Sequence, residues 1–274
     1  MTIRTGLAVL AAVSMTSLAA AQATFETDAE ARVWGPNGTA SKSDRLSGAE
    51  ASATAGAGSG SAHGSAWGSM LSTKAYATAT ANGAYVADGW ARVDATDMLL
   101  VQGAKTGGGT IRMGIRLGGT ATASFSGMLD PKLDWWSEAK ASVAIRVNGY
   151  LVDSFETKYS VNKSYPQGKL TPFKNRTYID IPFEFGESLY LNTFVYAGVS
   201  IRNGSGAGIA DFGHTFEWTG VQGVFDDDGN AITDFKIGSA SGEDYVQAVP
   251  EPGTMVALAG GALALLKRRK RPRC

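Results

Sequence analysis

The sequence predicts an all-β protein, an antiparallel sandwich or jelly-roll-like domain, and three observations carry that expectation. Apolar residues alternate with polar ones at period two from residue 110 onward. Glycine and Asn/Asp-Gly pairs punctuate these runs at short intervals. No stretch of the body sustains the 3.6-residue periodicity of an amphipathic helix.

Taken from the start, Arg4 is followed by a mostly apolar run, Gly6 to Ala20, and then by Ala21-Gln22-Ala23. A charged start, an apolar core and small residues at Ala21 and Ala23 have the form of a removable secretory signal helix, residues 1–23, cleaved after Ala23. The expected body is residues 24–248. Within it, "SGAEASATAGAGSGSAHGSAWG" (47–68) is almost wholly Ala, Gly and Ser. Its low apolar bulk fits a flexible linker, whereas its alternation, continuing through "STKAYATATANGAY", fits a thin strand. Both readings stand on the sequence alone.

The later elements are clearer. "TIRMGIRLGG" puts Ile111, Met113, Ile115 and Leu117 on one face with Arg112 and Arg116 opposite. "SVAIRVNGYLV" turns Val143, Ile145 and Val147 inward and reverses at Asn148-Gly149, a strong two-residue hairpin signal. "YIDIPFEFG" groups Ile179, Ile181, Phe183 and Phe185, and Pro182 marks an edge strand or bulge because it has no N–H to give. "LYLNTFVYAGVSI" aligns Leu189, Leu191, Val195, Val199 and Ile201 against Tyr190, Phe194 and Tyr196, so both faces are expected to be covered. "DFGHTFEW" and "GVQGVFDDDGNAITDFKI" predict a further pair about Asp228-Gly229.

Charge and cysteine usage narrow the function classes. The chain is neutral, with 25 Lys+Arg and 25 Asp+Glu, but Arg4 and six tail cations lie outside the body and only Glu251 offsets them. The body therefore keeps a net charge near −6, which repels phosphate backbones and argues against a nucleic-acid partner. Cys274 is the only cysteine, which excludes thiolate catalysis and thiolate metal sites from the body.

The remaining constellations are weak. "DDDGN" (226–230) fails as an EF-hand, because that register needs an oxygen ligand and a Glu where Val224 and Phe235 stand. A solvated turn is the better reading. In "DWWSE", Trp135 and Trp136 are candidate ligand contacts able to stack on sugar rings. Strand geometry sends them to opposite faces. Asp134 and Glu138 offer an acid and a base to a glycoside in principle, but the tryptophan pair reads first as structural. His214 shares an apolar face with Phe212, Phe216 and Trp218, and His63 sits in the Ala/Gly/Ser tract with no carboxylate or second His near it in the sequence. No catalytic residue, cofactor site or metal site is assigned, and an enzyme is not expected.

The C-terminal segment, residues 249–274, is different: "VPEPGTMVALAGGALALLKRRKRPRC". Pro250 and Pro252 hold Glu251 in an extended stretch. Thr254 to Leu266 is apolar or small over 13 residues, about 20 Å as a helix against about 30 Å of hydrocarbon. A short transmembrane helix is expected there, with Lys267, Arg268, Arg269, Lys270 and Arg271 as the cytoplasmic stop. Pro-Glu-Pro, a short apolar helix and a basic end together resemble the PEP-CTERM sorting signal, borne by substrates of exosortases in exopolysaccharide-making Gram-negative bacteria. The body stretches "WARVDATDMLLVQG", "IDIPFEFGE" and "SASG-x-DY" also resemble bodies of that group. The resemblance implies export, a membrane-anchored precursor, and an exosortase-like enzyme and the export machinery as partners. It further implies a structural role at the cell surface or in an exopolysaccharide or biofilm matrix. A carbohydrate-binding module is the second expectation and a secreted hydrolase the third.

Overall fold

The computed structural model describes residues 23–246 except 47–49, 129, 131, 174–175 and 212–215. Among the described residues the chain forms strands only: β1 (Thr24–Gly35), β2 (Gly38–Leu46), β3 (Glu50–Ala57), β4 (Gly60–Gly68), β5 (Ser72–Gly103), β6 (Gly108–Leu117), β7 (Thr120–Met128) and β8 (Trp136–Val147). These continue as β9 (Tyr150–Asn162), β10 (Tyr165–Thr171), β11 (Tyr178–Glu184), β12 (Ser188–Asp211), β13 (Phe216–Asp226), β14 (Ala231–Ile232) and β15 (Phe235–Ser239). All belong to one antiparallel sheet, whose main path is β10-β9-β8-β12-β5-β13-β6-β11.

The sheet is organised by two strands far longer than the short ones the sequence predicts. β5 spans 32 residues and β12 spans 24, and they pair from Tyr76↔Asp211 to Leu100↔Ser188. The other edge of β5 is shared in turn by β4 (residues 73–81 of β5), β1 (86–96) and β15 (99–103). The other edge of β12 takes β8 and then β7. The two long strands bend together instead of breaking. Gly83 and Asn203 adopt positive φ of 71° and 53°, the register slips between Gly204 and Gly206, and the Gly83 N–H donates to Ser205 Oγ at 2.9 Å. The bend curls the sheet, so β1 and β2 lie over β3 and β4, and β7 lies over β8 and β9.

The core changes texture along this curl. At one end Ile111, Met113, Ile145, Ile179, Ile181, Leu191, Phe155, Phe216 and Trp218 are fully buried, as the alternation predicts. Phe216 and Trp218 meet edge to face at 4.9 Å. At the other end the Ala/Gly/Ser tract settles as strand. Buried Ala62, Ala66, Ala75, Ala77 and Ala79 face Ala29, Ala31, Ala87 and Ala91. With only methyl groups between them the layers approach until backbones touch. A Cβ on Gly64 would overlap the Trp90 carbonyl oxygen, and one on Gly89 would lie 2.5 Å from the carbonyl oxygens of His63 and Thr78. Positions 64 and 89 are glycine because no space exists there for a Cβ.

The remaining turns follow the sequence. Asn148 and Gly149 have φ of 51° and 83°, the left-handed pair of a two-residue hairpin. Pro182 lies exposed on β11, which pairs with β6 at the end of the path. Gly229, at φ 82°, turns β13 into β14. One expectation fails: the outer face of β12 is not covered. Tyr190 is 50% exposed, and Phe194 and Tyr196 are half-buried.

Candidate functional site

That outer face carries a hollow lined by aromatic and charged side chains. Alternation on β5 turns Ala87, Gly89 and Ala91 inward and so sends Asp88, Trp90 and Arg92 outward. The same rule presents Tyr196, Gly198, Ser200 and Arg202 on β12, and Trp136, Glu138 and Lys140 on β8. Register sets them in rows: Trp90 beside Gly198 beside Lys140, then Asp88 beside Ser200 beside Glu138, then Arg202 beside Trp136. The result is a hollow of about 260 Å³ walled by Trp90, Trp136 and Tyr196. Gly198 lets the Tyr196 ring lie across the strand, since that ring occupies the place where a Cβ on residue 198 would sit.

The charged groups of the hollow are all paired, mostly with residues around its rim. Asp88 accepts from Arg32 at 2.7 Å, from Arg202 at 2.9 Å and from the Ser200 hydroxyl. Glu138 pairs with Lys158 at 2.5 Å and accepts from Ser160 Oγ at 3.2 Å. Lys140 pairs with Glu156 at 2.7 Å. The Arg202 guanidinium lies 5.4 Å from the Trp136 ring centre and that of Arg92 lies 5.9 Å from the Trp90 ring, within cation–π range. Burial, and then the negative charges of Asp88 and Glu138, raise the Tyr196 pKa. Its hydroxyl therefore stays a neutral hydrogen-bonding group. The hollow thus offers aromatic faces beside fixed polar groups, which suits the apolar face and hydroxyl rim of a sugar ring.

Trp136 and Glu138 also wall a second hollow of about 510 Å³ with Asp134, Trp135, Lys163 and Tyr165. The tryptophan pair does not split between faces as strand geometry predicts. β8 begins only at Trp136, so Trp135 escapes the alternation. It stacks on Phe125 of β7 at 4.4 Å and 21°, yet still reaches the same hollow as its neighbour. Asp134 is 88% exposed and pairs with Lys163 at 2.7 Å. The Lys163 hydrogen bond holds its pKa below the ordinary carboxylate value. A glycosidase acid needs the opposite shift.

The Asp226–Asn230 segment is a turn closed on itself. Asp226 accepts from the Asn230 N–H at 2.7 Å and pairs with Lys105 at 2.7 Å. Among the described residues no group of three or more His, Cys, Asp or Glu side chains is placed to hold a metal. The Lys105 and Asn230 hydrogen bonds lower the Asp226 pKa from 3.8 to about 2. Because the folded value is the lower one, its stabilisation is complete above pH 3.8 and is lost as the pH falls toward 2. Asp226→Asn is accordingly expected to flatten the fall of stability between about pH 4 and pH 2, as read from urea midpoints at each pH.

The "SASG-x-DY" stretch has a defined role. Asp97 on β5 is 1% exposed and accepts four hydrogen bonds. These come from its neighbour Met98 N–H at 2.8 Å, Ser241 N–H at 3.1 Å, Ser241 Oγ at 2.5 Å and Tyr245 OH at 3.0 Å. Tyr245 is 3% exposed, and burial followed by the Asp97 charge raises its pKa. The Ala240 N–H reaches Met98 O, and the Val221 N–H reaches Tyr245 O, each at 2.9 Å. The last described segment is thus clasped onto β5.

Sequence reasoning found Trp135 and Trp136 but missed Trp90, Tyr196, Asp88, Ser200 and Arg202. The outward alternation of β5 and β12 was the available signal. His63 lies beside the Tyr76 ring at 6.0 Å, while His214 and the sorting residues Pro250, Glu251, Pro252 and Lys267 to Arg271 lie outside the described residues. So do Ala21 and the expected transmembrane helix; Ala23 is the first residue described. Among the described residues no helix is long and apolar enough to cross a membrane.

Residues 248–271 match the PEP-CTERM protein-sorting motif. No curated protein and no solved structure matches the chain.

Proposed function

From the premise that the chain carries a PEP-CTERM sorting motif, the mark of an exported exosortase substrate with a membrane-anchored precursor, we propose that its body is a non-enzymatic matrix protein. It acts at the cell surface or in the extracellular matrix, where it holds exopolysaccharide. In this reading residues 1–23 are a leader removed after Ala23, residues 24–248 are a body of two facing β-layers, and residues 249–274 are removed by the exosortase. β1 begins at Thr24, which suits a mature N-terminus there. Thr254 to Leu266 is the span, and Lys267 to Arg271 its cytoplasmic stop.

The observation that carries the polysaccharide reading is the aromatic hollow of Trp90, Trp136 and Tyr196 across three adjacent strands. A carbohydrate-binding module rests on the same observation and differs only in being specific for one sugar. A hydrolase has less support. Asp134 is tied to Lys163, which holds its carboxyl below the ordinary carboxylate range, and Glu138 is tied to Lys158.

Electrophoresis of the body through gels containing the host exopolysaccharide tests the reading. The wild type is expected to be retarded. The Trp90→Ala, Trp136→Ala double variant is expected to lose about 2 kcal/mol, roughly 30-fold in affinity, at about 1 kcal/mol per ring. Equal mobility of both proteins, with unchanged circular dichroism, would remove the hollow from the function.

A further inference from the structure

The two ends of the body converge on one spot. Thr24, the first residue of β1, pairs with Thr96, and the next residue along β5 is the Asp97 that clasps Ser241 and Tyr245. On the same edge Ser239 of β15 pairs with Leu99. The start of β1 therefore lies beside the Asp97 carboxylate that the Ser239–Val246 strap engages, while the strap runs on past that edge, its Tyr245 carbonyl accepting from the Val221 N–H of β13. The aromatic hollow lies elsewhere. Trp90 is seven residues up β5 from Asp97, a path of about 24 Å.

The spacing to the motif is short. Val246 is the last described residue, and Pro250 follows four positions later, at most about 14 Å away when fully extended. A stable protein interface covers about 800 Å² per partner, a disc of roughly 16 Å radius. An enzyme that grips Pro250-Glu251-Pro252 with such a footprint also meets the body beside the clasp. Tyr245 is buried and bonded, so this surface is presented in one orientation instead of swinging on a tether. Gly242, Asp244 and Val246 are exposed there and Glu243 is half-exposed.

We propose that this pole, the strap Ser239–Val246 locked on Asp97 beside the start of β1, is the docking surface of the body for the membrane processing enzyme. The inference rests on the sorting reading above and adds a second point of contact to the motif itself. Glu243 and Asp244 give the surface an acidic edge, so the complementary rim of the enzyme is basic. The clasp holds that edge in place on the body, seven residues along β5 from Trp90 of the hollow.

Pulse–chase of the full chain in a host carrying the enzyme, read by intact mass, tests this. One variant carries a flexible Gly/Ser insertion of about 15 residues after Val246, spanning roughly 21 Å on average. It keeps the motif and frees the body from it. A second, Glu243→Lys with Asp244→Lys, keeps the spacing and reverses the edge. Both are expected to lose the tail at least tenfold more slowly than the wild type, with thermal midpoints of the purified bodies unchanged. Either variant processed at the wild-type rate overturns the docking pole. A wild-type chain that keeps its tail through Cys274 would instead defeat the sorting reading on which the proposal rests.

Discussion

Asp97→Ala is expected to destabilise the body by about 4 kcal/mol, the largest effect of any single side chain in the clasp. The carboxylate is 1% exposed and accepts four hydrogen bonds. Hydrogen bonds to a charged acceptor contribute about 1.5–3 kcal/mol each, and buried donors left unpaired add their desolvation cost. Removing a buried charge recovers part of this, so the total stays below the sum of the lost bonds. Two controls separate the contributions. Tyr245→Phe deletes one donor and is expected to cost about 1–2 kcal/mol. Asp97→Asn keeps the shape but turns an amide N–H₂ toward donors, and should fall between the two. Urea unfolding of the purified body reads all three. Equal stability of Asp97→Ala and wild type would mean that the clasp holds nothing.

Gly64→Ala is expected to cost about 3 kcal/mol although it adds one methyl group. The new Cβ would overlap the Trp90 carbonyl oxygen, and backbone cannot rotate away as a side chain does. The layers would have to part, opening the alanine contacts around Ala31, Ala62, Ala77 and Ala91, all essentially buried. Overpacking of this kind costs about 1–3 kcal/mol, and the upper end applies where backbone is the obstacle. Ser65→Ala, one position along β4 and on its other face, should stay within about 0.5 kcal/mol. A Gly64→Ala protein as stable as wild type would show that the layers are farther apart than the structure places them.

The legible parts of this fold were those written in local alternation. Ile111, Met113 and Ile115, the Asn148-Gly149 hairpin and the Pro182 edge all follow from side-chain period, turn chemistry and a missing N–H. The Ala/Gly/Ser tract was ambiguous for a physical reason. Methyl groups give almost no hydropathy contrast, and a strand of them is stable only against a facing layer equally thin. That layer comes from residues 29–33 and 87–91, which pattern within the tract cannot reveal. The length of β5 and β12 was hidden because it depends on Gly83 and Asn203, at positive φ, bending two strands that remain paired, which local alternation does not encode. The site was half legible. Trp136 stood out as one of a pair, but its partners Trp90 and Tyr196 reach it only through the β5-β12-β8 register, and Asp97 meets Tyr245 across 148 positions of chain. Trp135 was misplaced because the strand starts one residue later than the alternation assumed.

The intact mass of the mature protein, isolated from a host that carries the exosortase, tests the sorting claim most directly. The expected species begins at Thr24 and ends near Pro250-Glu251-Pro252, without the apolar run and its basic cluster. Glu251→Ala should keep the tail and move the protein into the membrane fraction. A wild-type mass running through Cys274, or a Glu251→Ala protein trimmed like the wild type, would contradict it.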